Sequence, residues 1–245
     1  MEKTLVNMFG NQDYNTVTVM GLKGSGKTFG LSIIAKSIPN KQVWIFDTLG
    51  AMSINSLLPN AYYVKMGPAS QRKVLKLFES LYTSKLRFIV FDLSIFNLKE
   101  LVEFADLFSE WALKRGNIAV IVDEIVDYCP QAGTPYSTGL QRLWRAGRNF
   151  GIYPVVMATQ RPQEADKKIL AHAQLYFIMK LLHPLDLKKV EEILPVEPED
   201  WIKLKNEIKE LEKRNAVVYD GVHNKVYRYT FPMVSDDEVD ENGKD

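Results

Sequence analysis

Residues 16–28 read Thr-Val-Thr-Val-Met-Gly-Leu-Lys-Gly-Ser-Gly-Lys-Thr, a short β-branched run followed by a glycine-rich segment. The second part, residues 21–28, has the pattern Gly-x-x-x-x-Gly-Lys-Thr between a predicted strand and a predicted helix. The glycines allow backbone conformations that a Cβ atom would block, so the N–H groups of the loop can turn inward around a phosphate. The next helix presents its unpaired N–H groups and positive dipole end to the same anion. This stretch therefore predicts a phosphate-binding loop.

Each polar residue of this loop has a predicted contact with a nucleoside triphosphate. Lys27 reaches the β- and γ-phosphates, and Thr28 places its hydroxyl on Mg²⁺. The alternative is a glycine-rich turn that contains Lys-Thr without any ligand. The predicted nucleotide-binding residues are Gly21, Lys23, Gly24, Ser25, Gly26, Lys27 and Thr28.

The composition narrows the class of protein. The 245 residues suffice for one sizeable domain with a short appendage, and 46% of them are hydrophobic, as in ordinary soluble globular proteins. The single cysteine, Cys129, excludes an internal disulfide and fits a reducing compartment. No apolar run approaches membrane-spanning length, and the N-terminus does not read as a signal peptide. We therefore expect a cytoplasmic protein that is not an integral membrane protein.

Acidic residues are concentrated at the C-terminus. The chain has 31 bases and 30 acids, and residues 233–245 hold six of those acids and one base. The rest therefore carries 30 bases and 24 acids, a net charge of +6, which permits binding to a polyanion without demonstrating it. The tail has too little apolar surface to fold. The predicted organisation is one domain over residues 1–232 and an acidic disordered tail over residues 233–245.

Buried strands alternate with amphipathic helices along the chain, which is typical of a mostly parallel α/β sheet covered on both faces. Asn97 and Glu100 form a capping-box pattern that opens one helix. Residues 1–15 are expected to pack as a strand or lid, with a turn at 11–13. A C-terminal β-hairpin is predicted around a turn at 221–224. The predicted strands are 16–21, 42–47, 61–66, 87–92, 118–122, 153–160 and 174–180.

Residues 118–124, Ile-Ala-Val-Ile-Val-Asp-Glu, have the Walker B pattern of an apolar strand followed by two acids. Asp123 is predicted to hold Mg²⁺ and Glu124 to act as general base toward the attacking water. Asp92 follows a similar apolar run and is the rival. Because hydrolysis needs one carboxylate for the metal and another for water, Asp123 is favoured, and Asp92 is interpreted as structural.

Two other strand ends carry polar residues. Asp47 ends a buried strand at the edge where ligands gather in open α/β sheets, and the alternative is an Asp that caps the turn. Gln160 ends the strand predicted beside the Walker B strand, where it is placed to sense the γ-phosphate or orient water. The alternative for Gln160 is an amide bonded only to backbone.

Three arginines recur at every third position of the helix predicted after residue 136: Arg142, Arg145 and Arg148. Such a spacing is typical of a solvated basic face. The functional interpretation is an arginine that crosses a subunit interface to the γ-phosphate of the neighbour, where its charge acts in the transition state.

Three stretches together resemble the FtsK–HerA superfamily of DNA-translocating ATPases: residues 21–28, 120–124 and 145–162. The last is the most discriminating, because it joins Arg-Ala-Gly-Arg-Asn-Phe-Gly-Ile to an apolar strand ending in Ala-Thr-Gln-Arg-Pro. The resemblance covers about residues 16–180. It implies a RecA-like (ASCE) P-loop core that binds ATP and Mg²⁺ and forms a ring, usually a hexamer, around double-stranded DNA. It assigns Lys27 and Thr28 to the nucleotide and Mg²⁺, Asp123 and Glu124 to the Walker B pair, Gln160 to the sensor, and Arg148 to the trans arginine finger.

Two departures from the family narrow the expected function. Only about 15 residues precede the first strand, where HerA-type translocases carry a β-barrel domain, and the membrane helices of FtsK and the coupling proteins are missing. The chain thus looks like the genome-packaging ATPases of icosahedral, internal-membrane viruses. The expected function is a viral packaging motor in the host cytoplasm or the virion, with a capsid or membrane protein as a further partner. The alternatives are a plasmid- or cell-encoded translocase in repair or DNA transfer, and a P-loop phosphotransferase or switch.

Overall fold

In the computed structural model, which describes residues 5–10, 14–55 and 57–232, nine strands form one mixed sheet. Their spatial order is β3-β4-β2-β5-β6-β1-β7-β8-β9. The first seven strands run parallel, and β8 and β9 form the predicted antiparallel hairpin at one end. The strands are β1 Thr16–Met20, β2 Gln42–Asp47, β3 Ala61–Lys65, β4 Phe88–Asp92, β5 Ile118–Val122, β6 Val155–Thr159, β7 Leu175–Ile178, β8 Asn215–Asp220 and β9 Lys225–Thr230.

Helices pack on both faces of the sheet, so the molecule has two apolar cores. Alternation along β2 shows this, because Trp44 and Phe46 belong to one core and Val43 and Ile45 to the other. None of the described helices is long and apolar enough to cross a lipid bilayer. The helices are α1 Leu5–Gly10, α2 Lys27–Ser37, α3 Ala51–Asn55, α4 Gln71–Tyr82, α5 Leu98–Arg115, α6 Thr138–Ala146, α7 Lys167–Leu170, α8 Pro184–Ile193 and α9 Pro198–Glu210.

The capping box that opens α5 is confirmed. The Asn97 side chain accepts hydrogen bonds from the backbone N–H groups of Lys99 and Glu100, and the Glu100 carboxylate accepts one from Asn97 N. Of the two alternatives for the N-terminus, the strand was wrong, since residues 5–10 form the helix α1. Leu5, Met8 and Phe9 are buried at helical spacing against the core that includes α2. The expected turn at 11–13 and the tail at 233–245 lie outside the described residues.

The strand order determines which loops meet. β6 lies between β1, which precedes the glycine-rich loop, and β5, which carries the Walker B acids. All three strands are parallel, with Met20 opposite Thr159 and Val122 opposite Met157. The loops after β1, β5 and β6 therefore share the carboxyl edge of the sheet, and the segments that precede these strands share the opposite, amino edge.

Candidate active site

The glycine-rich loop is fixed at the carboxyl edge by backbone hydrogen bonds to two neighbouring strands. Gly21 N donates to Thr159 O at 3.2 Å, and Leu22 N donates to Lys180 O at 2.8 Å. The first bond ties the loop to the end of β6 and the second to the segment after β7. The loop therefore begins at a defined position between these strands.

Two glycines of the loop are required by its geometry. At Gly21 a Cβ atom would lie 2.7 Å from Ser25 Oγ and 2.8 Å from Met179 Cβ, so no side chain fits. Gly26 precedes α2 with φ +102°, in the left-handed region, and a Cβ there would lie 3.2 Å from both the backbone N and the Cγ of Arg214. The loop thus follows a path that only glycine allows, as its sequence predicts.

Lys27 folds over the loop that it follows. Its Nζ donates to the carbonyl oxygens of Gly21 at 2.6 Å and Leu22 at 3.0 Å. Burial lowers the pKa of Lys27 to about 8, and the nearby carboxylates of Glu124 and Asp123 oppose this shift. The loop lysine and the two acids therefore lie in one electrostatic environment.

The two acids after β5 are both buried and are held by different partners. Asp123 Oδ1 accepts a hydrogen bond from Thr48 N at 2.9 Å, and Glu124 Oε2 accepts one from Gln160 N at 3.1 Å. Burial raises the pKa of each to about 7, with the carboxylate of Asp47 adding to the effect on Asp123. The Asp123 carboxyl thus faces the end of β2, and the Glu124 carboxyl faces the end of β6. This separation is compatible with the two predicted tasks, metal binding and activation of water.

Asp47 has the capping role that the sequence left open. Its fully buried carboxylate accepts hydrogen bonds from Met52 N at 3.2 Å and from both the N and Oγ of Ser53 at 2.8 Å. These bonds satisfy the start of α3 and turn Asp47 away from a direct ligand role. Asp92 is likewise local: it accepts bonds from the Ser94 backbone and hydroxyl and lies on β4, beyond β2 from the Walker B strand.

Gln160 lies where it was predicted, at the end of β6 beside Glu124, and its backbone N–H holds that carboxylate. A role for its side-chain amide stays a prediction. The site also includes Thr48 and Tyr128, which sequence reasoning missed: their hydroxyls lie 2.9 Å apart, and the Thr48 backbone holds Asp123. The available signal was position, because Thr48 is a polar residue directly after a buried strand.

The arginines do not join this site within one chain. Arg145 and Arg148 line a cleft of about 360 Å³ at the amino edge, together with the first residues of β1 and β6, Thr16 and Val155. Five-residue strands separate the two edges by roughly 15 Å. Arg142 is exposed on α6, as expected for a solvated basic face. Arg148 therefore lies far from the glycine-rich loop of its own chain.

We expect Glu124→Gln to gain stability relative to the parent as the pH rises from 4.5 to about 7. Burial raises the pKa of Glu124 from 4.5 to about 7, so in this window the folded chain keeps a proton that the unfolded chain has lost. The parent therefore loses stability with rising pH, by at most about 3 kcal/mol from this group. Urea unfolding of both proteins at several pH values measures the difference. A difference that is the same at every pH would contradict the buried environment of Glu124.

No protein-family model matches the sequence, and no curated protein does. Among solved structures, the chain is similar to the genome-packaging NTPase B204 of Sulfolobus turreted icosahedral virus 2, solved in complex with AMPPCP. The TM-score is 0.60 and the identity 16%, over 90% of this chain and 98% of that chain. The DNA-packaging ATPase B204 of Sulfolobus turreted icosahedral virus gives 0.62 and 16% over the same shares.

VirB4 of Thermoanaerobacter pseudethanolicus is also similar, with a TM-score of 0.66 and 9% identity over 95% of this chain and 93% of that chain. At such identities the likeness concerns the fold. It agrees with the mostly parallel sheet that helices cover on both faces. The chain therefore has the α/β, RecA-like P-loop fold that the sequence predicts.

Proposed function

We propose that this chain is an ATPase that drives double-stranded DNA into a viral capsid, acting as a ring of identical subunits. The observation that carries the hydrolysis of ATP in this proposal is the buried pair Asp123 and Glu124 in the electrostatic environment of Lys27. A nucleotide switch or a phosphotransferase needs the loop and one metal-holding acid. A second carboxyl with a pKa of about 7, held beside the first, suits a general base for water.

In this proposal, different residues of the site bind the phosphates and activate the attacking water. Lys27 exchanges the carbonyls of Gly21 and Leu22 for the β- and γ-phosphates, and the N-terminus of α2 binds the same anion. Glu124, held by Gln160 N, orients the attacking water and takes its proton.

The residues present fit Mg²⁺ as the second cofactor. The Thr28 hydroxyl and the Asp123 carboxylate supply the oxygen ligands that this ion prefers. The buried Asp123, whose pKa is raised to about 7, gains from a cation beside it. When bound, Mg²⁺ neutralises phosphate charge.

The two edges of the sheet support a head-to-tail assembly. One edge carries the buried acids and the phosphate loop, and the other carries the cleft with Arg145 and Arg148. A contact between unlike edges of two copies brings Arg148 of one to the γ-phosphate of the next, and repetition of such a contact closes a ring. Exposed apolar side chains accompany both edges: Leu49 and Ile95 follow β2 and β4 at the carboxyl edge, and Phe150 lies two residues after Arg148. The family resemblance suggests six subunits.

The fold likeness to B204 supports packaging as the task of the motor. On this proposal the partners are double-stranded DNA and a capsid or membrane protein at the packaging vertex, in the host cytoplasm or the virion. The likeness to VirB4 favours a second candidate, a plasmid- or cell-encoded DNA translocase with the same chemistry. A capsid gene beside this one would support packaging, and a nuclease gene would support repair.

We expect the purified chain to hydrolyse ATP faster when double-stranded DNA is added, and this gain to fall steeply between about 50 and 200 mM salt. The reason is that binding to the DNA backbone releases counterions, which salt opposes. Phosphate release measures the rate, and Lys27→Ala, which removes the phosphate-binding lysine, gives the background. ATP turnover that ignores DNA, with phosphate appearing on a small acceptor, would contradict the motor and support a phosphotransferase.

A further inference from the structure

Arg214 lies in the turn between α9 and β8 with φ +72°, in the left-handed region that side chains other than glycine rarely adopt. Two backbone hydrogen bonds hold it there. Arg214 N donates to Ser25 O at 2.9 Å, and Phe231 N donates to Arg214 O at 3.0 Å. The turn is therefore fastened to the glycine-rich loop on one side and to the end of the C-terminal hairpin on the other.

The side chain of Arg214 lies against the phosphate loop. A Cβ atom built on Gly26 would be 3.2 Å from Arg214 Cγ, so the arginine stem packs over the residue that precedes α2. The side chain is half-buried, and among residues 5–10, 14–55 and 57–232 none accepts a hydrogen bond from its guanidinium. A strained backbone thus places a cation beside the loop, with no hydrogen-bond acceptor for its guanidinium in the described part of the chain.

The strand order shows which end of a nucleotide Arg214 would meet. Glu124 and Asp123 lie on the β6 and β5 side of the loop, and Arg214 lies on the opposite side, next to β7 and β8. A triphosphate whose γ-phosphate is near Glu124 extends along the loop, away from the acids. Its nucleoside therefore lies on the side of the sheet where Arg214 is held.

We propose that Arg214 binds the nucleoside end of the nucleotide, with its guanidinium plane stacked on the purine base. This inference rests on the nucleotide binding proposed above. The phosphates already have Lys27 and the N-terminus of α2, whereas the base needs a flat, weakly hydrated surface, which a guanidinium provides. Arg214 has a left-handed backbone conformation in which glycine would be unstrained. Backbone strain of this kind is typical of ligand-binding positions.

The test compares Arg214→Gly with the parent, because this substitution removes the side chain and glycine adopts φ +72° without strain. We expect an unchanged or higher Tm, an affinity for ADP lower by about tenfold, and an unchanged affinity for inorganic tripolyphosphate. Calorimetry or competition with a fluorescent nucleotide measures both affinities. Lys213→Ala, which removes an exposed cation from the same turn, is the matched control and should bind both ligands like the parent.

Three outcomes would overturn the inference. If Arg214→Gly binds ADP as well as the parent, the side chain does not contact the nucleotide. If ADP and tripolyphosphate weaken equally, Arg214 binds phosphate rather than the base. If the parent itself binds neither ligand, the proposed nucleotide site fails, and this inference with it. Arg214→Asn, another residue that tolerates the left-handed region, repeats the comparison should the glycine variant fold poorly.

Discussion

Replacement of Arg148 by alanine is expected to lower ATP turnover by about a thousandfold or more, while the affinity for nucleotide stays close to that of the parent. The residue lies in the cleft at the amino edge of the sheet, and the phosphate loop lies at the carboxyl edge. In the proposed head-to-tail ring it reaches the triphosphate of a neighbouring subunit instead. Its charge matters most as negative charge develops in the transition state. Steady-state phosphate release and nucleotide binding, measured on the same preparations, separate the two effects.

A mixing experiment tests the arrangement in trans. Arg148→Ala subunits keep Glu124, and Glu124→Gln subunits keep Arg148, so each variant lacks what the other has. In an equal mixture roughly a quarter of the head-to-tail interfaces join an intact Glu124 to an intact Arg148, and activity should return. Lys114→Ala, which removes an exposed cation on α5, should leave turnover unchanged. If the mixture stays as inactive as its components, Arg148 is not an arginine finger.

Glu124→Gln is expected to lower ATP turnover by about two to four orders of magnitude and to leave ATP bound. The amide keeps the shape of the side chain, and its oxygen can still accept the hydrogen bond from Gln160 N. It cannot take a proton from water. A single-turnover assay with labelled ATP measures the chemical step, and retention of labelled ATP on the protein measures binding.

The matched control for this substitution is Asp92→Asn. Asp92 is also an acid at the end of a parallel strand, but β2 separates its strand from that of Glu124, and its bonds are to Ser94. We expect this variant to hydrolyse ATP at the parental rate. Equal loss in both variants would mean that Glu124 has no special role, and parental activity in Glu124→Gln would exclude it as the base.

Local patterns predicted the elements that depend on neighbouring residues. The strand bounded by Gln42 and Asp47 is as predicted, because a run of six largely apolar residues between turns is short for a helix and favours a buried strand. The capping box of α5 is equally local, because Asn97 and Glu100 are only three residues apart in the sequence. The Walker motifs were found for the same reason, since each combines a strand end with the residues that directly follow it.

Features that depend on distant contacts could not be read from the sequence. The cap at Asp47 is an exception, because its partners Met52 and Ser53 are close in sequence but lie in a short helix that was not predicted. Thr48 and Arg214 were missed because their importance comes from Asp123 and Gly26, each reached only through the folded sheet. In both cases tertiary packing, rather than residue type, gives the position its role.

The phosphate loop is bonded through its backbone to β6 at Thr159, to the segment after β7 at Lys180, and to the turn before β8 at Arg214. Phe231 follows β9, and its ring packs against Gly30. A Cβ atom built on Gly30 would lie 3.1 Å from the nearest carbon atoms of this ring. Any displacement of the loop must therefore stretch bonds to segments encoded far downstream. The path of the glycine-rich loop thus depends on contacts with residues about two hundred positions away along the chain.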